Sequence, residues 1–102
     1  MALLLKQQMA QEKELELKLI KAVRKAGGIA LKFVSPGYAG MPDRLVLIAY
    51  GKLAFVEVKS PGKKPRKIQA VRHKQLQDLG FKVYVLDQEE QIGGIIDAIS
   101  TT

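Results

Sequence analysis

Cysteine is absent from the 102 residues. Disulfides and thiolate metal sites are therefore excluded, and a reducing compartment is compatible with the chain. Histidine occurs once, at His73, so no site built from several imidazoles can form. The sequence assigns that residue to surface packing on a helix. Long apolar runs are missing too. The opening MALLLKQQMA breaks off at Lys6, short of a secretory h-region or a membrane-spanning helix. The expectation is a cytoplasmic, intracellular protein with no membrane partner and a short, frayed helical start. Internal repeats, linkers and low-complexity segments are also lacking. Acidic residues are scarce: ten, against 17 Lys and Arg, for a net charge of +7. Such a field attracts polyanions, nucleic acid first and anionic membrane second.

What is present fits one domain spanning residues 1–102. Hydrophobic residues make up 47% of the chain, enough for a packed core. Residues 12–26 read as a helix with Leu15, Leu19, Ala22, Val23 and Ala26 on one face, stopped by Gly27-Gly28. On that helix Glu14 falls among Lys18, Lys21 and Lys25. Glu16 falls inside the apolar arc, where a carboxylate needs a partner. IALKFV (29–34), DRLVLIAY (43–50), LAFVEVK (53–59) and KVYVL (82–86) read as strands. Gly51-Lys52 is the expected hairpin turn. RKIQAVRHKQLQDLG (66–80) reads as a second helix. A last helix, about 88–100, is expected to be capped by Asp87 with Glu90 at the capping-box position, burying Ile92, Ile95, Ile96 and Ile99. The order α-β-β-β-α-β-α predicts an α/β fold, a mixed four-stranded sheet flanked by helices.

The stretch FVEVKSPGKKP (55–65) carries the chemistry. Side chains alternate along a strand, so Phe55, Glu57 and Lys59 share one face and Val56 and Val58 the other. With a tight turn after residue 50, Asp43 lies roughly opposite Glu57 to Lys59. Two neighbouring carboxylates repel unless something positive lies between them. A hard divalent cation, Mg²⁺ or Mn²⁺, meets that need with oxygen ligands, and the Val58 carbonyl is a third candidate. Lys59 can orient a water or stabilise phosphate charge. Glu16 is a further candidate carboxylate, and Gln69 a hydrogen-bond donor to a metal-bound water or a phosphate. Taken singly, these residues have plainer readings: an exposed ion pair for Glu57 and Lys59, a turn residue for Asp43, solvent-reaching polar residues for Glu16 and Gln69.

MPDRLVL (41–47), FVEVK (55–59) and KKPRKIQ (63–69), in that order, resemble the VRR-NUC family of the PD-(D/E)XK nuclease superfamily. The resemblance covers about residues 12–87. It implies a restriction-endonuclease-like fold and a metal-dependent DNA nuclease with an intact site. By that resemblance Asp43, Glu57 and the Val58 carbonyl are metal ligands and Lys59 is the catalytic lysine. Glu16, favoured over Glu14, takes the helical acidic position, and Gln69 the family glutamine. Mg²⁺ or Mn²⁺ is the implied cofactor, and no small-molecule cofactor is expected. The family includes stand-alone phage proteins, and a chain this small would present two sites to branched DNA or a four-way junction only as a homodimer. MALLL and Leu17 are candidate dimer contacts.

Lys63, Lys64, Arg66 and Lys67 surround Pro65, between the strand of Glu57 and the following helix. They read as phosphate contacts, or as a plain solvated loop. Lys32 is surface or site-facing, and Tyr38, in the SPGYAG loop, is a candidate for stacking on a base. A non-catalytic nucleic-acid-binding module on the same fold would share this basic surface. It would have no need of Asp43 and Glu57, which repel phosphate.

Overall fold

The computed structural model describes residues 2–102; Met1 of the MALLL stretch lies outside them. The elements are α1 (Ala2–Lys25), β1 (Ile29–Lys32), β2 (Arg44–Ile48), β3 (Lys52–Val58), α2 (Lys67–Asp78), β4 (Lys82–Leu86), a 3-10 turn (Glu89–Gln91) and α3 (Ile92–Ser100). The strands form one sheet in the order β1-β2-β3-β4. The first two pairings are antiparallel, and β3 pairs with β4 in parallel across the α2 crossover. This is the expected mixed sheet in the expected element order. No helix among the described residues is long and apolar enough to cross a membrane.

Strand alternation divides the sheet into two faces. Val46, Ala54, Val56, Val58 and Leu86 point to one and are fully buried. Against them pack Leu15, Leu19 and Val23 of α1 and Ile92, Ile95 and Ile99 of α3, which together form the main core. Ile96 is only partly buried beside it. The other face carries Phe55, whose ring meets Phe33 and Phe81 edge-on at 5.6 and 6.1 Å. It also carries Glu57, and α2 covers it with Gln69, His73 and Leu76, the buried residues of that helix.

Three local expectations are corrected. α1 runs unbroken from Ala2 rather than starting near residue 12 with a frayed lead. Leu, Lys, Gln, Met and Ala fill its first turns without Gly or Pro, so helix propensity continues it, although no residue from 2 to 14 is buried. The hairpin turn falls at Tyr50-Gly51, both with positive φ (67° and 71°), and Lys52 already belongs to β3. α3 itself has no side-chain cap; ahead of it, Gln91 rather than Asp87 and Glu90 caps the 3-10 turn. Its Oε1 accepts from the N–H groups of Asp87 (3.0 Å) and Gln88 (3.2 Å), because a 3-10 turn intervenes before α3.

Candidate active site

Asp43 immediately precedes β2, and the pairing of Arg44 with Val56 places it next to Glu57 across the hairpin. Its Oδ1 accepts the backbone N–H of Val58 at 3.1 Å. Glu57 is 3% exposed and Lys59 9%, so neither is the surface ion-pair residue of the plainer reading. Lys59 Nζ lies 4.0 Å from Glu57 Oε2, and the Lys59 N–H donates to Leu86 O at 2.8 Å, which anchors the end of β3 to β4. Two carboxylates and an ammonium therefore gather at one end of the sheet.

Gln69 is a working part of this cluster. Its Nε2 donates to Glu57 Oε2 at 3.2 Å, and its Oε1 accepts the Arg66 N–H at 2.8 Å, capping α2. His73, one turn further on, overturns its assignment to the surface. It is 8% exposed, with Nε2 3.5 Å from Glu57 Oε1. The sequence signal was available, since residues 69, 73 and 76 are spaced as one helical face. Apolar neighbours on that face were too few to mark it as buried.

Glu16 finds its partner away from Glu57. Arg44, next in sequence to Asp43, points to the opposite sheet face and is buried. Its guanidinium pairs with Glu16. This contact offsets the cost of a carboxylate in the apolar arc and ties α1 to β2 beside Asp43. Glu14 is exposed and pairs with Lys18 at 3.2 Å, as its helix face implies. The acidic residue that sequence reasoning missed is Glu12, one turn before Glu16. It is half-buried, and its charge acts on both Asp43 and Glu57.

The electrostatics follow from this packing. Burial, and then the charge of Asp43, push the Glu57 carboxyl up to about 7; Lys59 and, less strongly, Arg66 pull against that rise. Asp43 is also raised, by burial first and then by Glu16 and Glu12, against the Val58 hydrogen bond. His73 is held below its ordinary value by burial and by Lys59. Glu57 Oε1 and His73 Nε2 are both cut off from solvent without a hydrogen-bond partner. Among the described residues, no three His, Cys, Asp or Glu side chains converge on one metal position. The candidate oxygen donors are the Asp43 and Glu57 carboxylates and the Val58 carbonyl. Two carboxyls side by side, both pushed up by burial and by neighbouring negative charge, fit a hard divalent cation.

The 35–42 loop is held against α2. Arg72 lies over the Tyr38 ring, 3.9 Å from its centroid, and donates to Ala39 O at 2.8 Å. The Tyr38 hydroxyl donates to Gln75 at 3.3 Å. Gly40 has φ +88°, and a Cβ there would meet Ile68 O at 2.8 Å, so only glycine lets the loop lie this close. One face of Tyr38 is thus covered by Arg72. α2 thereby positions the approach to Asp43 through the loop and Glu57 through Gln69. Lys63, Lys64, Arg66 and Lys67 are exposed beside this cluster. Lys32 is not with them: it pairs with Arg44 in register, which puts it on the opposite face from Glu57.

No protein-family profile matches the chain. It is 48% identical over 90 residues to the protein named "Putative nuclease p44" of Acyrthosiphon pisum secondary endosymbiont phage 1, covering 88% of this chain and 96% of that one. A solved VRR_NUC domain superposes with a TM-score of 0.80 at 27% identity, over 85% of this chain and 95% of that chain. The sheet order, the Asp43–Glu57–Lys59 cluster and these likenesses agree, and the chain belongs to the VRR-NUC family of nucleases.

Proposed function

We propose that this nuclease hydrolyses DNA phosphodiester bonds with Mg²⁺ or Mn²⁺ held by Asp43, Glu57 and the Val58 carbonyl. The observation that carries the reading is the pair of adjacent carboxyls, half-buried Asp43 and buried Glu57, both pushed up by burial beside a buried lysine. A bound divalent cation would polarise the phosphate and make a water more acidic. Lys59 is placed to meet the charge that grows on the phosphate. Gln69 holds Glu57 in place, and Glu16 and Glu12 are the α1 carboxylates whose charges reach Asp43. Glu16 is engaged with Arg44. The alternative, a binding module without catalysis, leaves Asp43 and Glu57 without a purpose beside a polyanion. The test is cleavage of labelled duplex, single strand, flap and four-way junction with Mg²⁺, Mn²⁺ or EDTA. EDTA-insensitive cutting rejects the metal, and salt-sensitive binding without cutting selects the module.

The basic loop supports affinity for the DNA backbone. Changing Lys63 and Lys64 together to alanine is expected to weaken binding on every sequence. It should also flatten the salt dependence, with the slope of log K against log salt falling by about 2 for two lost phosphate contacts. An unchanged slope returns the loop to solvated surface.

Preference for branched DNA rests on a homodimer. Leu3, Leu4, Leu5, Met9 and Leu17 are each more than half exposed along α1. Leu3 and Leu17 lie within about 40° of each other around the helix. A two-fold pairing through this helix would cover them. Light scattering is expected to give twice the chain mass, falling to the single mass in Leu17→Glu. A wild-type monomer removes the dimer and, with it, paired cuts on a junction.

A further inference from the structure

Glu57 is gripped from one helix. Gln69 and His73, four residues apart on the buried face of α2, approach the two oxygens of its carboxylate separately. The Gln69 amide donates to Oε2 at 3.2 Å. His73 Nε2 stands 3.5 Å from Oε1. Neither Nε2 nor Oε1 reaches solvent, and neither has another partner. Two bare acceptors facing each other in a dry site would both carry the full cost of desolvation. A proton between them removes that cost, and a movement of roughly half an ångström makes the contact a good hydrogen bond. When Glu57 is ionised, the proton must belong to the imidazole. His73 then carries a hydrogen on Nε2, and that nitrogen has no lone pair for a cation.

We propose that His73 is a positioning residue for the metal site: its Nε2–H holds Glu57 Oε1 while Gln69 holds Oε2, fixing the orientation in which the carboxylate meets a divalent cation. The inference rests on the metal-dependent reading of Asp43 and Glu57 and adds a residue to it. A buried carboxylate free to rotate would lose affinity for the ion through disorder; one held at both oxygens is organised before the ion arrives.

The chain has a single histidine, so its imidazole gives one set of nitrogen resonances. Under mildly alkaline, metal-free conditions, long-range proton–nitrogen spectra of the wild type are expected to show the Nε2–H tautomer. Adding Mg²⁺ should shift those resonances. A hydrogen on Nδ1 with a bare Nε2 overturns the proposal, and this measurement needs no variant to fold. Binding of Mn²⁺ alone, followed by the loss of its free-ion paramagnetic resonance signal, supplies the second readout. His73→Leu, which keeps the volume and removes the donor, is expected to bind Mn²⁺ about 10- to 100-fold more weakly. His73→Gln, which returns an N–H at nearly the same reach, is expected to recover most of that loss. Undiminished binding in His73→Leu overturns the proposal and leaves the metal-dependent reading standing. Equal loss in both variants also overturns it, because the residue would then act through packing alone. A folded wild type that takes up no Mn²⁺ overturns both.

Discussion

Lys59→Met is expected to lower the single-turnover rate of DNA cleavage by about 10²- to 10³-fold, with the fold intact. Methionine keeps an unbranched chain of similar length, so the packing around a residue that is 9% exposed changes little. The backbone bond from Lys59 N to Leu86 O does not depend on the side chain. What disappears is a buried positive charge 4.0 Å from Glu57 Oε2. In a water-poor site such a charge acts strongly on a phosphate gaining negative charge. Its loss has a second, separable consequence. Lys59 holds the Glu57 carboxyl down against burial and Asp43, so without it that carboxyl rises further. Residual activity that needs ionised Glu57 should have its acid limb at higher pH than the wild type. A lower rate with an unmoved acid limb assigns Lys59 to the phosphate alone; cleavage at the wild-type rate removes it from the chemistry.

The sequence made the sheet and the centre of the site legible because both rest on alternation. Strand period puts Phe55, Glu57 and Lys59 on one face, and a tight hairpin sets Asp43 across from Glu57, as the pairing of Arg44 with Val56 shows. The α1 side was less legible. Helical period placed Glu16 in the apolar arc, but could not tell which partner it meets there. That partner is Arg44, whose direction follows from the same alternation that aims Asp43 the other way. Glu12, four residues before Glu16 on the same face, was hidden because the apolar pattern fades N-terminal to Leu15. His73 was missed for a related reason: α2 buries two polar residues and one leucine, and an apolar-periodicity reading does not detect a face made for a carboxylate. The continuation of α1 to Ala2 is propensity without burial, which leaves no pattern of alternating exposure to find.

Asp43→Asn is expected to abolish cleavage and, without divalent cations, to make the protein more stable than the wild type. Asparagine keeps an Oδ1 that can accept the Val58 N–H, so the 3.1 Å contact survives. Only the charge is removed. In the wild type, Glu57 is raised from 4.5 to about 7, which corresponds to about 3 kcal/mol between its two protonation states. The folded state holds this proton more tightly than the unfolded chain. Its contribution to stability is therefore complete below pH 4.5 and is lost as pH rises through about 7. Burial is the larger cause and Asp43 the second, so removing Asp43 should return about 1 kcal/mol at pH 8, or a Tm rise of about 5 °C. His73 works in the opposite sense: burial favours its neutral form, so folding is penalised as pH falls through 6.5. That penalty is common to both proteins and cancels in their difference, which should shrink towards acid pH as Glu57 becomes protonated in both. Saturating Mg²⁺ or Mn²⁺ reverses the order. A cation at a hundred times its Kd stabilises the wild type by about 2.7 kcal/mol, more than the variant gains from losing the repulsion. Thermal melts of both proteins at two pH values, with and without cation, read all of this. If the wild type stays the less stable protein under saturating Mg²⁺ and Mn²⁺, Asp43 and Glu57 do not form a cation site, and their repulsion needs another explanation.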